Sequence, residues 1–237
     1  SGQGALAWSP DGQYLAVASI WGYVRVRSVA TGAVVASFIQ QTDSQMQAGA
    51  TNRIGTVAWS PDGQYFATGS DDGGVQIWHP LTGQLISNFT GHINPVSYTL
   101  PGSTTTTLSS LTELNPLRPR SIGAYMVNSL AWSPDSTQIA SASADHTVQI
   151  SDALAGKLIS TYRGHSGNVL AVSWSPDGKH LVSSDNTNIA LVWDTSGQTL
   201  FTYHGHKQAV HCVAWSPNGQ LIASGSEDGS VQIWKAN

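Results

Sequence analysis

Histidine, serine and aspartate gather near the end of the chain, at His206, Ser224 and Asp228. A serine hydroxyl beside a histidine that a carboxylate orients is the chemistry of acyl transfer. Such a nucleophile sits on a sharp strand-to-helix turn of the G-x-S-x-G kind. Neither that turn nor a helix of useful length is predicted here. Fragments of the same trio recur upstream at a spacing that suits packing, so the trio is expected to serve structure. His204 and His206 form a His-x-His pair with His211 nearby, a pattern able to ligate a transition metal. The turn SDDGG at 70–74 resembles a calcium loop only loosely and lacks the downstream glutamate; a hairpin turn is expected. Cys212 falls on a strand position where a small buried apolar residue belongs, not a reactive thiol. No Gly-rich phosphate loop stands between a strand and a helix. The expectation is no catalytic residue, no metal and no cofactor.

The elements that position these residues repeat. Trp-Ser-Pro occurs at Trp8, Trp59, Trp132, Trp174 and Trp215, each time followed by Asp or Asn. Nineteen residues after each tryptophan stand Arg27, Trp78, Ser151, Trp193 and Trp234. Between the two lie a turn, an alternating apolar run, a second turn and another alternating run, the signature of paired hairpins. A further turn and a fourth short strand follow, as in LISNF from Leu85 to Phe89. Each unit is a four-stranded antiparallel meander of about 41 residues. One meander cannot bury both its faces, so neighbours must stack, and strands of this length at this period stack radially. The tryptophans are expected to fill the wedge between adjacent units.

These residues resemble the WD40-repeat β-propeller family across essentially the whole chain. The resemblance is carried by Gly91-His92, Gly164-His165 and Gly205-His206, by SDDG, SADH and SEDG at the second turn, and by Trp193-Asp194 at the end of a third strand. It implies an all-β propeller of four-stranded antiparallel blades, at about 4–40, 53–90, 126–162, 168–203 and 209–236, within a single domain. It also implies a buried hydrogen-bonded tetrad in each blade. The last blade has all four members: His206, Ser224, Asp228 and Trp234. His206 is thereby committed and unavailable to a metal. The fourth has His165, Ser183 and Trp193, with Thr187 at the Asp position. The third has Ser141 and Asp145, but Ser151 replaces the tryptophan and His92 is separated by an insertion. The second keeps Thr68, Asp72 and Trp78 without the histidine. The first has none, with Val17, Trp21 and Arg27 instead. Rigidity is expected to fall from the C-terminal blade towards the N-terminal one. The wording WSPDGQ resembles bacterial members of the family, where such propellers often end larger signalling or sensor proteins.

Composition narrows the function. Of 237 residues, 40% are apolar and only 10% charged, and the net charge is −4. The ten Lys and Arg residues are scattered, whereas a nucleic-acid surface needs a concentrated basic stripe. No apolar run approaches the roughly 20 residues that span a bilayer. The single cysteine implies no dependence on oxidation and a cytoplasmic setting. Neither nucleic acid nor membrane is expected as a partner.

In a repeat scaffold, recognition sits where the repeat is interrupted. Insertions fall at about 41–52 and 96–125, both between the fourth strand of one blade and the first strand of the next. His92 to Trp132 spans 40 residues, against nine from His165 to Trp174 and from His206 to Trp215. Leu114, Leu117, Arg118, Arg120, Tyr125 and Met126 make this longer insertion a candidate docking lobe for a protein or peptide. The resemblance adds positions at the top of the first strand, Arg53, Asn128, Asn168, Leu170 and His211. At the second turn it adds Asp71, Asn186 and Glu227, with Ile20 and Trp21 in the first blade. The family closes its ring with an N-terminal segment paired onto the last blade, and Ser1 to Gly4 cannot supply it. Five blades are also fewer than the seven common in the family. A C-terminal piece of a larger protein is favoured over a truncated five-bladed ring or an edge completed by another chain. The function expected is a non-enzymatic interaction scaffold binding through its top face. The alternatives are an oligomerisation module pairing through the edge strand 230–235 and a propeller-based hydrolase.

Overall fold

The computed structural model describes residues 4–40, 53–92 and 125–236. Leu114, Leu117, Arg118 and Arg120 of the expected docking lobe lie outside the described residues.

Each unit starts with the same reversal. Ser9 donates its hydroxyl to Asp11, whose Oδ1 also accepts the Gln13 amide at 3.0 Å, and Tyr14 donates its amide to Ser9 Oγ at 2.9 Å. Gly12, with φ at +69°, turns the left-handed corner that a side chain would resist. Ser60 with Asp62, Ser133 with Asp135 and Ser175 with Asp177 repeat the device. These local bonds fold the first strand back onto the second.

Nineteen strands result among the described residues. Blade one holds β1 (Leu6–Trp8), β2 (Tyr14–Ala18), β3 (Tyr23–Ser28) and β4 (Val34–Ile39). Blade two holds β5 (Ile54–Trp59), β6 (Phe66–Ser70), β7 (Val75–Trp78) and β8 (Leu85–Phe89). Blade three holds β9 (Val127–Trp132), β10 (Gln138–Ser143), β11 (Val148–Asp152) and β12 (Leu158–Tyr162). Blade four holds β13 (Val169–Trp174), β14 (His180–Asp185), β15 (Ala190–Asp194) and β16 (Thr199–Tyr203). Blade five holds β17 (Val210–Trp215), β18 (Leu221–Ser226) and β19 (Val231–Lys235). Every sheet is an antiparallel meander in chain order; the first four have four strands and the fifth has three. The first strands pack on one another in sequence, β1 on β5, β5 on β9, β9 on β13 and β13 on β17. This succession of neighbouring first strands is the stacking that the propeller expectation requires. Among the described residues no helix is long and apolar enough to cross a membrane.

The core lies between the sheets. Val24 and Val26 of β3 pack with Ile54, Val57 and Trp59 of β5. Val75 and Ile77 pack with Val127, Leu130 and Trp132, and Val148 and Ile150 with Val169, Val172 and Trp174. The first-strand indoles also tie sheet to sheet. Trp59, Trp132 and Trp174 donate Nε1–H to the carbonyls of Ala7, Ala58 and Ala131 at 3.0, 3.0 and 3.1 Å. The third-strand indoles stack on the outermost aromatic of the preceding blade. Trp193 lies on Tyr162 with centroids 4.2 Å apart, Trp234 on Tyr203 at 4.3 Å and Trp78 on Phe38 at 4.7 Å.

At the two ends the wedge is uncovered. Trp8 is 56% exposed, with no sheet before it, and Val231 and Ile233 are 76% and 69% exposed, with none after them. Cys212, expected to be buried, is exposed for the same reason. It faces the side of β17 that elsewhere meets the next first strand. Trp215 keeps its Nε1–H buried without the carbonyl partner its three counterparts have.

Burial at one junction and exposure at the end separate two tryptophans of like size. Trp193→Ala is expected to lower unfolding free energy by about 3–5 kcal/mol in a denaturant titration. Trp8→Ala is expected to change it by no more than about 0.5 kcal/mol.

Candidate binding face and the framework beneath it

In blade five, His206 Nε2 lies 2.7 Å from Ser224 Oγ and Nδ1 lies 3.0 Å from Asp228 Oδ2, while Trp234 donates Nε1–H to Ser224 Oγ at 3.0 Å. The donors run in one direction. The indole donates to the hydroxyl, the hydroxyl to Nε2, and Nδ1–H to the carboxylate. Hydrogen bonds from Ser230 and the Lys207 amide hold the Asp228 carboxyl well below the usual carboxylate range.

The third blade forms the same chain despite its insertion. His92 reaches Ser141 Oγ at 2.7 Å and Asp145 Oδ2 at 2.9 Å, so the separation along the sequence does not remove it from its blade. Ser151 fills the tryptophan position and is buried.

The fourth blade corrects the sequence reading. Thr187 does stand where blade five has Asp228, but the acid has moved rather than vanished. Asp185, two residues earlier, sets Oδ2 2.7 Å from His165 Nδ1, and His165 Nε2 lies 2.7 Å from Ser183. Its other oxygen accepts the Thr187 amide and hydroxyl at 2.8 and 2.7 Å. In blade five that turn amide, from Asp228, is instead capped by Ser226 Oγ at 3.1 Å. Asp185 thus does the work of Ser226 and Asp228 together. Burial pushes its carboxyl up, but the bonds from His165 and Thr187 outweigh that and hold it low. The only sign in the sequence was an acid-x-hydroxyl order, Asp185-Asn186-Thr187, in place of hydroxyl-x-acid.

In blade two Gln40 Nε2 donates to Oγ of the turn serine Ser70 at 2.9 Å, and Ser70 donates to Asp72 Oδ1 at 2.6 Å. Trp78 donates to Thr68 Oγ1 at 3.0 Å. Among the described residues the first blade shows no such chain; Arg27 Nη1 donates to the Gly32 carbonyl at 3.0 Å.

Geometrically the three complete sets match a catalytic triad. Burial removes them from substrate: Ser141, Ser183 and Ser224 are each at most 1% exposed.

The second turns and the starts of the first strands share one face, here the upper face. A backbone bond repeats across it: Asp71 to Arg53, Ala144 to Met126, Asn186 to Asn168 and Glu227 to Ala209, at 2.9–3.1 Å. The side chains above differ. Arg53 and Asn186 are exposed, and His211 Nε2 pairs with Glu227 Oε1 at 2.7 Å, both half exposed. Asp71 Oδ1 is buried without a hydrogen-bond partner. Burial pushes its carboxyl up, against the pull of Arg53 and with the push of Asp72. Asn128 is spent within the frame, donating Nδ2–H to the Val169 carbonyl at 2.8 Å. Asn168, Leu170, Tyr125 and Met126 are half-buried, and the Tyr125 carbonyl accepts Ser143 Oγ at 3.0 Å. Trp21 is 61% exposed at the corner of blade one. Among the described residues no group of three His, Cys, Asp or Glu could hold a metal.

Stacked meanders with histidine-tied inner strands define a β-propeller repeat protein. The family description "WD domain, G-beta repeat" matches residues 43–79, 120–152, 156–194 and 197–235, and "Anaphase-promoting complex subunit 4 WD40 domain" matches residues 4–49. The chain belongs to the WD40 family. WD repeat-containing protein 1 of Rattus norvegicus is 29% identical over 208 residues, which are 80% of this chain and 33% of that protein. APC/C activator protein CDC20 of Saccharomyces cerevisiae is 28% identical over 143 residues, 60% of this chain and 18% of its own. The chain therefore spans about a third of the length of the first of these relatives. A chain in the crystal structure of the Mitotic Checkpoint Complex shares the fold with a TM-score of 0.73 at 24% identity, over 98% of this chain and 60% of that one. The expectation of bacterial-type repeats is corrected by the relatives, which include WD repeat-containing protein 1 of rat and mouse, Periodic tryptophan protein 2 of Arabidopsis thaliana and the yeast protein above. The Ser-Pro-Asp-Gly wording answers to the turn's hydrogen bonds and marks no kingdom.

The relocated carboxylate can be put back. Asp185→Ser is expected to cost about 2–3 kcal/mol at neutral pH, for a histidine left buried without its acid. Adding Thr187→Asp, which restores the order of blade five, is expected to recover more than half. The folded Asp185 carboxyl titrates below its unfolded value, so its contribution is present above that value and lost as pH falls through the folded one. The gap between wild type and Asp185→Ser, followed by denaturant titration, should therefore shrink below about pH 4.

Proposed function

We propose that the chain is a non-enzymatic scaffold that holds a protein or peptide partner against its upper face, in the cytoplasm. The observation that carries this is the contrast in how polar groups are spent. Beneath the face, the serine, histidine and aspartate groups are paired with one another and shielded from solvent. On the face, Arg53, Asn186, His211 and Glu227 stand in solvent. Different side chains on one rigid backbone pattern suit recognition better than catalysis. A related fold within the Mitotic Checkpoint Complex, and a relative named as an APC/C activator, support a partner that is itself a protein. The lone cysteine supports a setting that does not depend on oxidation.

A second reading, oligomerisation through β19, is favoured by the exposed Val231 and Ile233 on a strand that, among the described residues, stands at the edge of its sheet.

Two measurements separate the readings. Immobilised wild type and an Arg53→Ala, His211→Ala, Glu227→Ala triple variant are compared for the protein each retains. The variant is expected to lose about tenfold of what wild type holds, at an unchanged unfolding midpoint; equal retention would remove the upper face from consideration. For the second reading, sedimentation of wild type is expected to show a concentration-dependent dimer that Val231→Lys with Ile233→Lys abolishes.

A further inference from the structure

The lower face, opposite to the upper one, carries the Ser-Pro-Asp turns. Between blades one and two it holds a crevice of about 290 Å³. Its composition is unusual for the chain. Tyr14 and Tyr65 are half-buried in its walls, the edge of Trp59 reaches it, and Pro10 and Leu81 give it an aliphatic side. Asp11 and Asp62 bring two carboxylates, and no lysine or arginine lines it. The Asp11 carboxyl is held below its ordinary value, chiefly by the Ser9 hydroxyl, and stays ionised.

The tyrosines single out this junction. Both stand six residues after their Trp-Ser-Pro tryptophan, where the later copies have Gln138, His180 and Leu221. A crevice of about 400 Å³ between blades three and four keeps the acids, Asp135 and Asp177, with Gln138 in its wall. At the junction between these two, Ser136 replaces the turn glycine and its hydroxyl accepts the Asp62 amide at 3.1 Å, which fixes Asp62 at the crevice rim.

We propose that the crevice between blades one and two receives the cationic side chain of a lysine or arginine presented by a partner protein. The methylene stem lies along Pro10 and Leu81, and the charge sits over the tyrosine rings between Asp11 and Asp62. A long basic side chain buries its stem while keeping its head polar, and an aromatic face beside a carboxylate attracts a cation more than either alone. This site lies on the other face from the proposed docking surface and stands or fails separately.

Blade five supplies the control for a test. There Asn218 replaces the aspartate and still accepts the Ser216 hydroxyl at 2.7 Å and the Gln220 amide at 3.1 Å. Asp62→Asn therefore removes the charge and keeps the turn. N-acetyl-arginine methylamide and N-acetyl-lysine methylamide are titrated into the chain while the Trp59 indole resonance is followed by NMR. N-acetyl-norleucine methylamide serves as the neutral probe. Expected are saturable shifts with the two cationic probes, weakened about three- to tenfold in Asp62→Asn. Asp177→Asn, at the other crevice, should bind as wild type does. No shift with either cation overturns the proposal. So does equal binding of norleucine, which would make the crevice merely apolar, and so does an unchanged affinity in Asp62→Asn with its unfolding midpoint intact.

Discussion

A single meander of this chain leaves two aliphatic side chains of its third strand facing outward, and only the next first strand can cover them. Val24 with Val26, Val75 with Ile77, Val148 with Ile150 and Ala190 with Val192 are each at most 1% exposed because a following blade exists. Val231 and Ile233, the same positions in blade five, are the counter-example written into the same molecule. Burial of apolar area is what stabilises such sheets, so here stability belongs to junctions more than to blades. Every other feature answers to that constraint. The first-strand indoles lock each junction by bonding to the neighbour's carbonyl, and the third-strand indoles stack on the neighbour's outer aromatic ring. Trp215 shows the two to be separable, since it packs in its junction while its indole N–H finds no carbonyl.

Within each blade a second constraint acts, the need to satisfy buried polar groups. The serine–histidine–aspartate chain meets it in three blades, with two different placements of the acid. What matters physically is a carboxylate oxygen at hydrogen-bond distance from Nδ1, and the backbone position that delivers it is free to move by two residues. In blade two an amide, Gln40, bonds the turn serine Ser70 rather than the tetrad hydroxyl of Thr68. The gradient of rigidity expected from counting tetrad members is therefore too simple. Blade four, read as incomplete, has the most buried version of all, since both His165 and Asp185 side chains are fully enclosed.

The sequence was most legible where local chemistry and packing agree. Tryptophans nineteen residues apart, bounded by Ser-Pro-Asp-Gly turns, specify strands, their pairing and the radial stacking, because each signal has one physical use. It was less legible where a role can be filled from more than one place. Asp185 is hidden in the sequence because a fixed spacing from the tryptophan does not fix the role. The exposure of Trp8 and Cys212 is hidden for another reason, since their burial depends on a neighbouring sheet and not on their own copy. His92 looked stranded by the long insertion, yet β8 already delivers it to blade three. The upper-face residues were legible only as positions. Which of them are spent inside the frame, as Asn128 is, depends on hydrogen bonds between blades that a single repeat does not encode.

The frame and its faces divide the polar residues between them. Side chains that recur at a fixed place in the repeat, such as Ser141, Ser183 and Ser224, are consumed internally. Among those that vary from copy to copy, Asn128 is drawn into the frame, while Arg53, Asn186, His211 and Glu227 are left to meet solvent above. That division has a physical cause. A recurring position is one where the fold demands a particular bond, so its side chain has little left to offer a partner. A position free to vary is one the fold does not need, and its chemistry is available for recognition. The two crevices on the lower face make the same point, since they share their acids, which the turns require, and differ at Tyr14, Tyr65 and Gln138, which the turns do not.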